Sequence, residues 1–569
     1  MLKNVHLAPS WLIQLEKKLH SFQPHPSFRL FLTMEINSKL PVNLLRTGRV
    51  FVFEPPPGIK ASLLRTFANI PASKMSQAPA ERSRLYFLLA WFNAVVQERL
   101  RYSPLGWTKR YEFNESDLKS ACDMIDVWVD SSSKGRSNLP PDQIPWSAMR
   151  RLMSQCIYGG RIDNDFDQTL LDTFLSRLFT EKSFDHDFVL VEDVDGQSGK
   201  NILIPESTSR EELIAWAKKL PSVQTPSWLG LPNNAEKMLL TNMGQEVIGN
   251  LLKMQQAVNT DDLIASSEAS ATTTLVKRVS VEEGDTRPAW MRQLLTSAST
   301  WKSLLPDRLR PLDRTAENIA DPLFRCFDRE INAGATLLNT VRDDLESVEK
   351  VCSGTIKSIN YHRELMSNLV KGLIPASWRR YYTVPSNLTV IQWINDFAAR
   401  VRQHIEISEA ASSGGELRHL RIWLGGLFMP EAYITATRQA VAQTHGWALE
   451  ELFLSAELVM NAQKANPPPL PSDNCSFVVS GLRLMGAEPA DSKTLRLSQS
   501  IFYEMPFTIL KWIRVVKENQ DAVNADAVKL PVYLNAARSV LLFTLDLKTK
   551  EAGSDFYKRG VALLSSPLG

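Results

Sequence analysis

The chain has 569 residues, 44% hydrophobic and 22% charged, the balance of a globular protein of several domains. With 65 Lys+Arg against 62 Asp+Glu the net charge is +3, too small a basic excess for a nucleic-acid binder. Five scattered cysteines (Cys122, Cys156, Cys326, Cys352 and Cys475) include no CxxC pair, which fits a reducing compartment with buried free thiols and argues against disulfides or structural zinc.

The opening LKNVHLAPSWL lacks the basic and then apolar regions of a secretory signal. The most apolar run, Leu85 to Val96, contains Asn93 and lies between Arg84 and Glu98. It falls short of the roughly 20 residues that span a bilayer, so a buried helix in a soluble, intracellular protein is expected.

Residues 1–57 read as α/β. A helix is predicted from Pro9 to His20, and apolar runs follow at Phe28 to Met34 and Arg49 to Phe53. Short continuous runs between turn formers suit strands buried on both faces of a parallel sheet. Pro55-Pro56-Pro57-Gly58 continues neither strand nor helix and marks a boundary.

From 58 to 190 the pattern is helical, with helices expected at Glu81 to Tyr102, Leu118 to Val129 behind Asn114-Glu115-Ser116-Asp117, Trp146 to Tyr158, and Phe166 to Phe179. Residues 191–254 look mixed, with helices at Arg210 to Leu220 and Asn234 to Leu251. The Ser/Thr-rich, acidic stretch 255–287 reads as a flexible linker.

Residues 288–408 return to helix. Asp321-Pro322 is a helix start, and Phe324, Phe327, Ile331, Gly334, Leu338, Val341, Leu345, Val348 and Cys352 form one stripe at alternating steps of three and four. Such a stripe serves a coiled-coil dimer or, as expected here, a long helix lying on its own domain. Over 409–569 the period shifts towards two, at Phe477 to Val479, Ile509 to Val516, Leu530 to Leu534 and Leu541 to Leu547. Breakers stand at Asn466-Pro467-Pro468-Pro469, Gly486 and Pro506, and one helix at Pro430 to Gln443, so a small β-barrel or sandwich is expected.

Chemistry is sparse. No GxxxxGK[ST] occurs; Gly196-Gln-Ser-Gly199-Lys200-Asn201 has the wrong glycine spacing and Asn in place of the hydroxyl residue, so it reads as a surface turn. Eight histidines show no HExxH spacing, and Asp185-His186-Asp187 reads as an exposed polar turn. No GxSxG elbow is present, and most of the aromatics, 14 tryptophans among them, sit at helical or strand-face positions beside Leu, Ile and Val, so core packing is expected for them rather than base stacking.

Several segments together resemble the C-terminal end of the dynein heavy chain family, the cytoplasmic more than the axonemal form. They are LKNVHLAPSW (2–11), FRLFLTMEIN (28–37), RVFVFEPPPGIK (49–60), RLYFLLAWFNAVVQERLRYSPLGW (84–107), YEFNESDL (111–118), IYGGRIDNDFD (157–167), TPSWLGLPNNAE (225–236), LVKGLIPASW (369–378) and GGLFMPEAYITATRQ (425–439). The resemblance implies a mixed α and β protein. Residues 1–57 would end an AAA+ α/β large subdomain and 58–190 form its helical lid. After the connecting segment 191–254 and the linker 255–287 would come a C-terminal domain, helical over 288–408 and barrel-like over 409–569.

The resemblance further implies a segment of a cytoplasmic, microtubule-associated, minus-end-directed motor. Its partners would be the remaining AAA+ modules of the same heavy chain and, through the whole motor, other dynein subunits and the microtubule, with no nucleic acid and no membrane span. ATP and Mg would belong to other modules, and this chain would hold no cofactor or metal. Such a site needs a phosphate loop, expected to precede this chain, and an acidic pair, where Lys3-Asn4 stands here. Neither residue is a carboxylate, so the site would be dead. Arg46 and Arg49 fall where arginine fingers occur in the superfamily; salt-bridging across a ring contact is the role expected for them. Tyr158, Gly159, Gly160 and Arg161 are family-signature structural residues. The rival reading is a standalone helical and β scaffold, disfavoured because such a domain would not start inside an unpaired apolar strand.

Overall fold

The computed structural model describes residues 1–35, 37, 40–52, 54, 56–192, 201–207, 209–244, 247, 248, 251, 288–381, 388–459, 469, 472–515 and 527–565. The expected linker 255–287, residues 196–200 of the glycine turn and the breakers at 466–468 lie outside them. Two units form, Met1–Pro57 and Gly58–Gly569.

In the first unit α1 (Pro9–Ser21) begins at a proline, whose missing N–H costs nothing there, and α2 (Val42–Thr47) follows. Val5, Leu12, Leu40 and Leu44 make a small core. The two expected strands do not form among the described residues. Phe28 to Met34 contributes one parallel bridge, Leu2 to Leu32, and Val50, Phe51 and Val52 are exposed, Phe51 by 78%. An extended segment needs a neighbour for its main-chain groups, and in this unit the described residues offer one only around Leu2.

The second unit opens with α3 (Ile59–Asn69), α4 (Ala72–Met75), α5 (Glu81–Arg101), α6 (Glu115–Ser133), α7 (Trp146–Leu152) and α8 (Asp165–Leu178). Every residue of α5 from Leu85 to Val96 is buried, as its continuous apolar run dictates. Asn114 starts α6 with a capping box: its side chain accepts from the Ser116 N–H, and Asp117 accepts from the Asn114 N–H at 2.9 Å. A two-stranded antiparallel pair, β1 (Val189–Val191) and β2 (Ile202–Leu203), precedes α9 (Arg210–Lys219), and residues 235–244 are helical.

Next come α10 (Ala289–Leu304), α11 (Pro322–Cys352), α12 (Asn360–Val370) and α13 (Val390–Ser412). The Asp321 side chain caps α11 by accepting from the Leu323 N–H at 2.9 Å, and all nine residues of the predicted stripe are buried in the helix's own domain. The helical heart of this region is tied by Asp344, which accepts from the Trp378 indole at 2.9 Å and the Tyr361 hydroxyl at 2.8 Å.

The tail contains β3 (Arg421–Trp423), α14 (Pro430–His445), β4 (Leu452–Leu458), β5 (Ser476–Pro489), β6 (Thr494–Arg514), β7 (Ala527–Tyr533), β8 (Leu541–Thr549), α15 (Gly553–Lys558) and β9 (Ala562–Leu564). Six strands pair in the cycle β5-β6-β4-β8-β7-β9 and back to β5, which closes a barrel; β3 adds to β5 in parallel. Closure removes the exposed sheet edge. Gly486 and Pro506, expected to separate strands, instead lie inside β5 and β6. The register passes from Ser480↔Phe507 to Leu482↔Met505 across Gly481 and Pro506 and shifts around Gly486. Both glycines have positive φ (+80° and +76°), the backbone freedom that lets a long hairpin bend around a barrel. Gly481 also makes room for the indole of Trp423, which a Cβ would meet at 2.4 Å.

Candidate functional site: a buried arginine seam between lid and barrel

Alternate residues of the barrel wall serve two different cores. Leu484, Val532 and Leu563 belong to the core of the C-terminal half, whereas Met485, Tyr533, Ala562 and Leu564 belong to the core built on α5 and α8. They are cross-strand neighbours: Leu484 pairs with Leu563 and Met485 with Ala562, while Val532 and Tyr533 pair with Leu563 and Leu564. The period-two pleat therefore points one set of side chains into the barrel and the other into the helical lid. This stretch of sheet is buried on both faces.

Two arginines lie in the seam. Arg99, near the end of α5, is fully buried. Its Nε donates to Gly106 O at 3.0 Å; its Nη atoms donate to Leu229 O and, at 3.1 Å, to Lys558 O beside the barrel. Its guanidinium lies 5.2 Å from the Phe174 ring centroid and 5.9 Å from that of Trp107. Arg538, in the β7–β8 connection with φ +54°, donates to Gly560 O and contacts Met485 Sδ at 3.0 Å. Burial pulls both guanidiniums below their usual range; for each, Asp167 on α8 acts in the opposite direction. Burial likewise pushes the Asp167 carboxyl up, against hydrogen bonds from the Thr108 N–H (3.0 Å), the Thr108 hydroxyl and the Tyr111 hydroxyl (2.7 Å). Buried charges are tolerable only where partners already stand in place, so the cluster registers α5, α8, the 229–231 turn and the 558–560 turn against each other. The arrangement holds parts of the two cores together.

The residues singled out in the sequence lie elsewhere. Lys3 is exposed, and Asn4, at φ +53°, opens the turn Val5–Leu7 with its N–H on Thr33 Oγ1 at 3.1 Å. Arg46 on α2 and Arg49 beyond it are both exposed. Tyr158 is fully buried, its hydroxyl donating to Asn93 Oδ1 at 3.1 Å. Gly159 crosses the Ser154 carbonyl so closely that a Cβ would sit 1.4 Å from its oxygen, whereas Gly160 has only Gln155 O nearby, at 3.7 Å. Arg161 pairs with Asp117 at 2.8 Å, bracing the start of α6. These four residues knit the lid internally and are not brought to the seam. Of the cysteines, Cys122, Cys326 and Cys352 are buried, but Cys156 is exposed and Cys475 half-buried, which corrects the expectation of uniformly buried thiols. Among the described residues no group of three His, Cys, Asp or Glu is placed to hold a metal, and no helix is long and apolar enough to cross a membrane.

Arg99 and Asp167 stand inside two of the singled-out segments, 84–107 and 157–167, and the one visible signal was a charged residue closing the most apolar helix. Nothing in the sequence pointed to Arg538, because its role depends on a turn meeting a helix that lies more than 350 residues earlier.

Comparison with known proteins accounts for this architecture. A family model for the C-terminal domain of the dynein heavy chain matches residues 241–565, one for its AAA lid domain matches 82–235, and one for its region D6 P-loop domain matches 1–52. The protein is 54% identical to a cytoplasmic dynein heavy chain of Drosophila melanogaster over its whole length, and 45% identical to that of Dictyostelium discoideum over 99% of its length. To the 1-alpha heavy chain of the flagellar inner arm I1 complex of Chlamydomonas reinhardtii it is 28% identical. It spans about 12% of the length of these curated relatives. With the lid and C-terminal domain models together accounting for the two cores that meet at the arginine seam, the chain belongs to the dynein heavy chain family.

Proposed function

We propose that this chain is the ring-closing, output-modulating segment of a cytoplasmic, minus-end-directed, ATP-driven microtubule motor. Nucleotide hydrolysis, the microtubule-binding stalk and the cargo-binding tail lie in other parts of the motor, and ATP and Mg are held by other modules. With Lys3 and Asn4 at the position of the acidic pair, the segment itself supplies no magnesium ligand or water-orienting carboxylate. Arg46 and Arg49 serve as ion-pairing groups at a ring contact. Membership of the dynein heavy chain family supports the assignment to a motor.

The mechanical role rests on one observation: lid and barrel share strands β5, β7 and β9, one face of the pleat in each core. A rotation of the lid must therefore carry the barrel with it or break the seam. Coupling of that kind limits the conformations that ATP turnover elsewhere can drive.

Single-molecule motility of a complete motor carrying Arg538→Leu tests the proposal. Run length or stall force changes while microtubule-stimulated ATPase activity persists; stepping identical to the unaltered motor refutes the modulating role. Stoichiometric Mg-ATP bound to the isolated segment in equilibrium dialysis refutes the absence of a nucleotide site.

A further inference from the structure

A cavity of about 300 Å³ opens at the same seam, next to the arginine pair. That volume stands at the small end of pockets that hold organic ligands. One wall is aromatic and apolar: Phe174 and Leu178 on α8, with Trp91 and the partly exposed Trp228, whose rings stack at 6.2 Å and 30°. The rim is charged and comes from both sides, Arg177 and Glu192 from the lid and Asp555, Lys558 and Arg559 from the barrel.

Two of these cations are already matched. Lys558 Nζ lies 2.9 Å from Asp555, and Arg177 lies 3.6 Å from Glu192. Arg559, half-buried, has no carboxylate within ion-pair distance among the described residues. Among the described residues, one positive charge of the rim is thus left over at the edge of an aromatic cavity.

We propose that this cavity binds a small monoanionic aromatic molecule, of the aryl carboxylate class, with its ring against Trp228 and Phe174 and its carboxylate on Arg559. A guanidinium offers a carboxylate two parallel N–H donors, and offset ring contacts favour a flat ligand over an aliphatic one. An occupant touches lid and barrel at once, so it binds the closed seam in preference to an opened one and stiffens it. The proposal does not depend on the motor assignment, because the pocket is formed wholly by residues of this protein.

The probe is 2-naphthoate, titrated into the full 569-residue protein and followed by saturation-transfer NMR and tryptophan fluorescence. Saturable one-to-one binding is expected, weakened roughly tenfold by Arg559→Ala and by the same factor when neutral 2-naphthamide replaces the acid. The amide comparison uses the unaltered protein and so stands even if the variant folds poorly. Equal affinity for acid and amide, unchanged binding to a folded Arg559→Ala variant, or no saturable binding below about 10 mM overturns the proposal.

Discussion

Two stretches of this protein share nearly the same apolar script and come to opposite ends. RVFVF at 49–53 and FVVSGLRL at 477–484 are both rich in β-formers, yet Val50, Phe51 and Val52 stand exposed while Phe477, Val478 and Val479 are almost completely buried. The second stretch lies between two partners: β5 pairs with β6 along nearly its whole length and with β3 and β9 on its other edge. The first has no neighbouring strand among the described residues of its unit. Propensity proposes a strand, but main-chain hydrogen bonds from neighbours make one.

The sharpest way to break this comparison is a charge in each stretch. Val479→Asp buries an unpaired carboxylate in the barrel wall and is expected to cost about 4 kcal/mol or more. Phe51→Asp is expected to change stability by less than about 0.5 kcal/mol. Urea unfolding of the two variants checks both; equal effects would show that burial does not distinguish the stretches.

The next largest effect belongs to the seam. Asp167→Asn keeps the shape but removes the negative charge facing Arg99 and Arg538, leaving two buried cations, and is expected to cost about 3 kcal/mol. Hydrogen exchange should then rise in β9 and in the end of α5 together, because one cluster holds both; exchange confined to α8 would contradict the shared seam.

Within the lid, Gly159→Ala is expected to cost about 3 kcal/mol, since the new Cβ meets a main-chain oxygen that cannot rotate away. Gly160→Ala, whose nearest neighbour stands at ordinary contact distance, should stay within about 0.5 kcal/mol. Thermal unfolding of the pair separates a steric requirement from a preference for glycine.

The smallest effect is a pH slope. Burial pushes the Cys122 thiol up to about 12, so above roughly pH 9 the unfolded state releases this proton while the folded state keeps it. The folded state then binds more protons than the unfolded, and stability falls with rising pH by up to about 1.4 kcal/mol per unit until about pH 12. Cys122→Ala should flatten the alkaline limb by that amount in chemical unfolding between about pH 9 and 10.5; an unchanged slope would place the thiol in contact with solvent.

The sequence alone determined what local rules govern. Asp321-Pro322 marked the start of α11 because a carboxylate beside a proline satisfies free helix N–H groups wherever it occurs, and the stripe from Phe324 to Cys352 marked its buried face because 3.6 residues per turn is a property of one helix. Asn114 and Asp117 marked the start of α6 for the same reason, and the segments from LKNVHLAPSW to GGLFMPEAYITATRQ named the family. Tertiary structure alone decided that Gly486 and Pro506 bend a hairpin instead of ending one, that residues 49–52 have no strand partner among the described residues, and that Arg99, Asp167 and Arg538 converge. Each of those outcomes depends on groups far apart in sequence satisfying one another's charge and hydrogen bonds, and no local pattern records which partner will arrive.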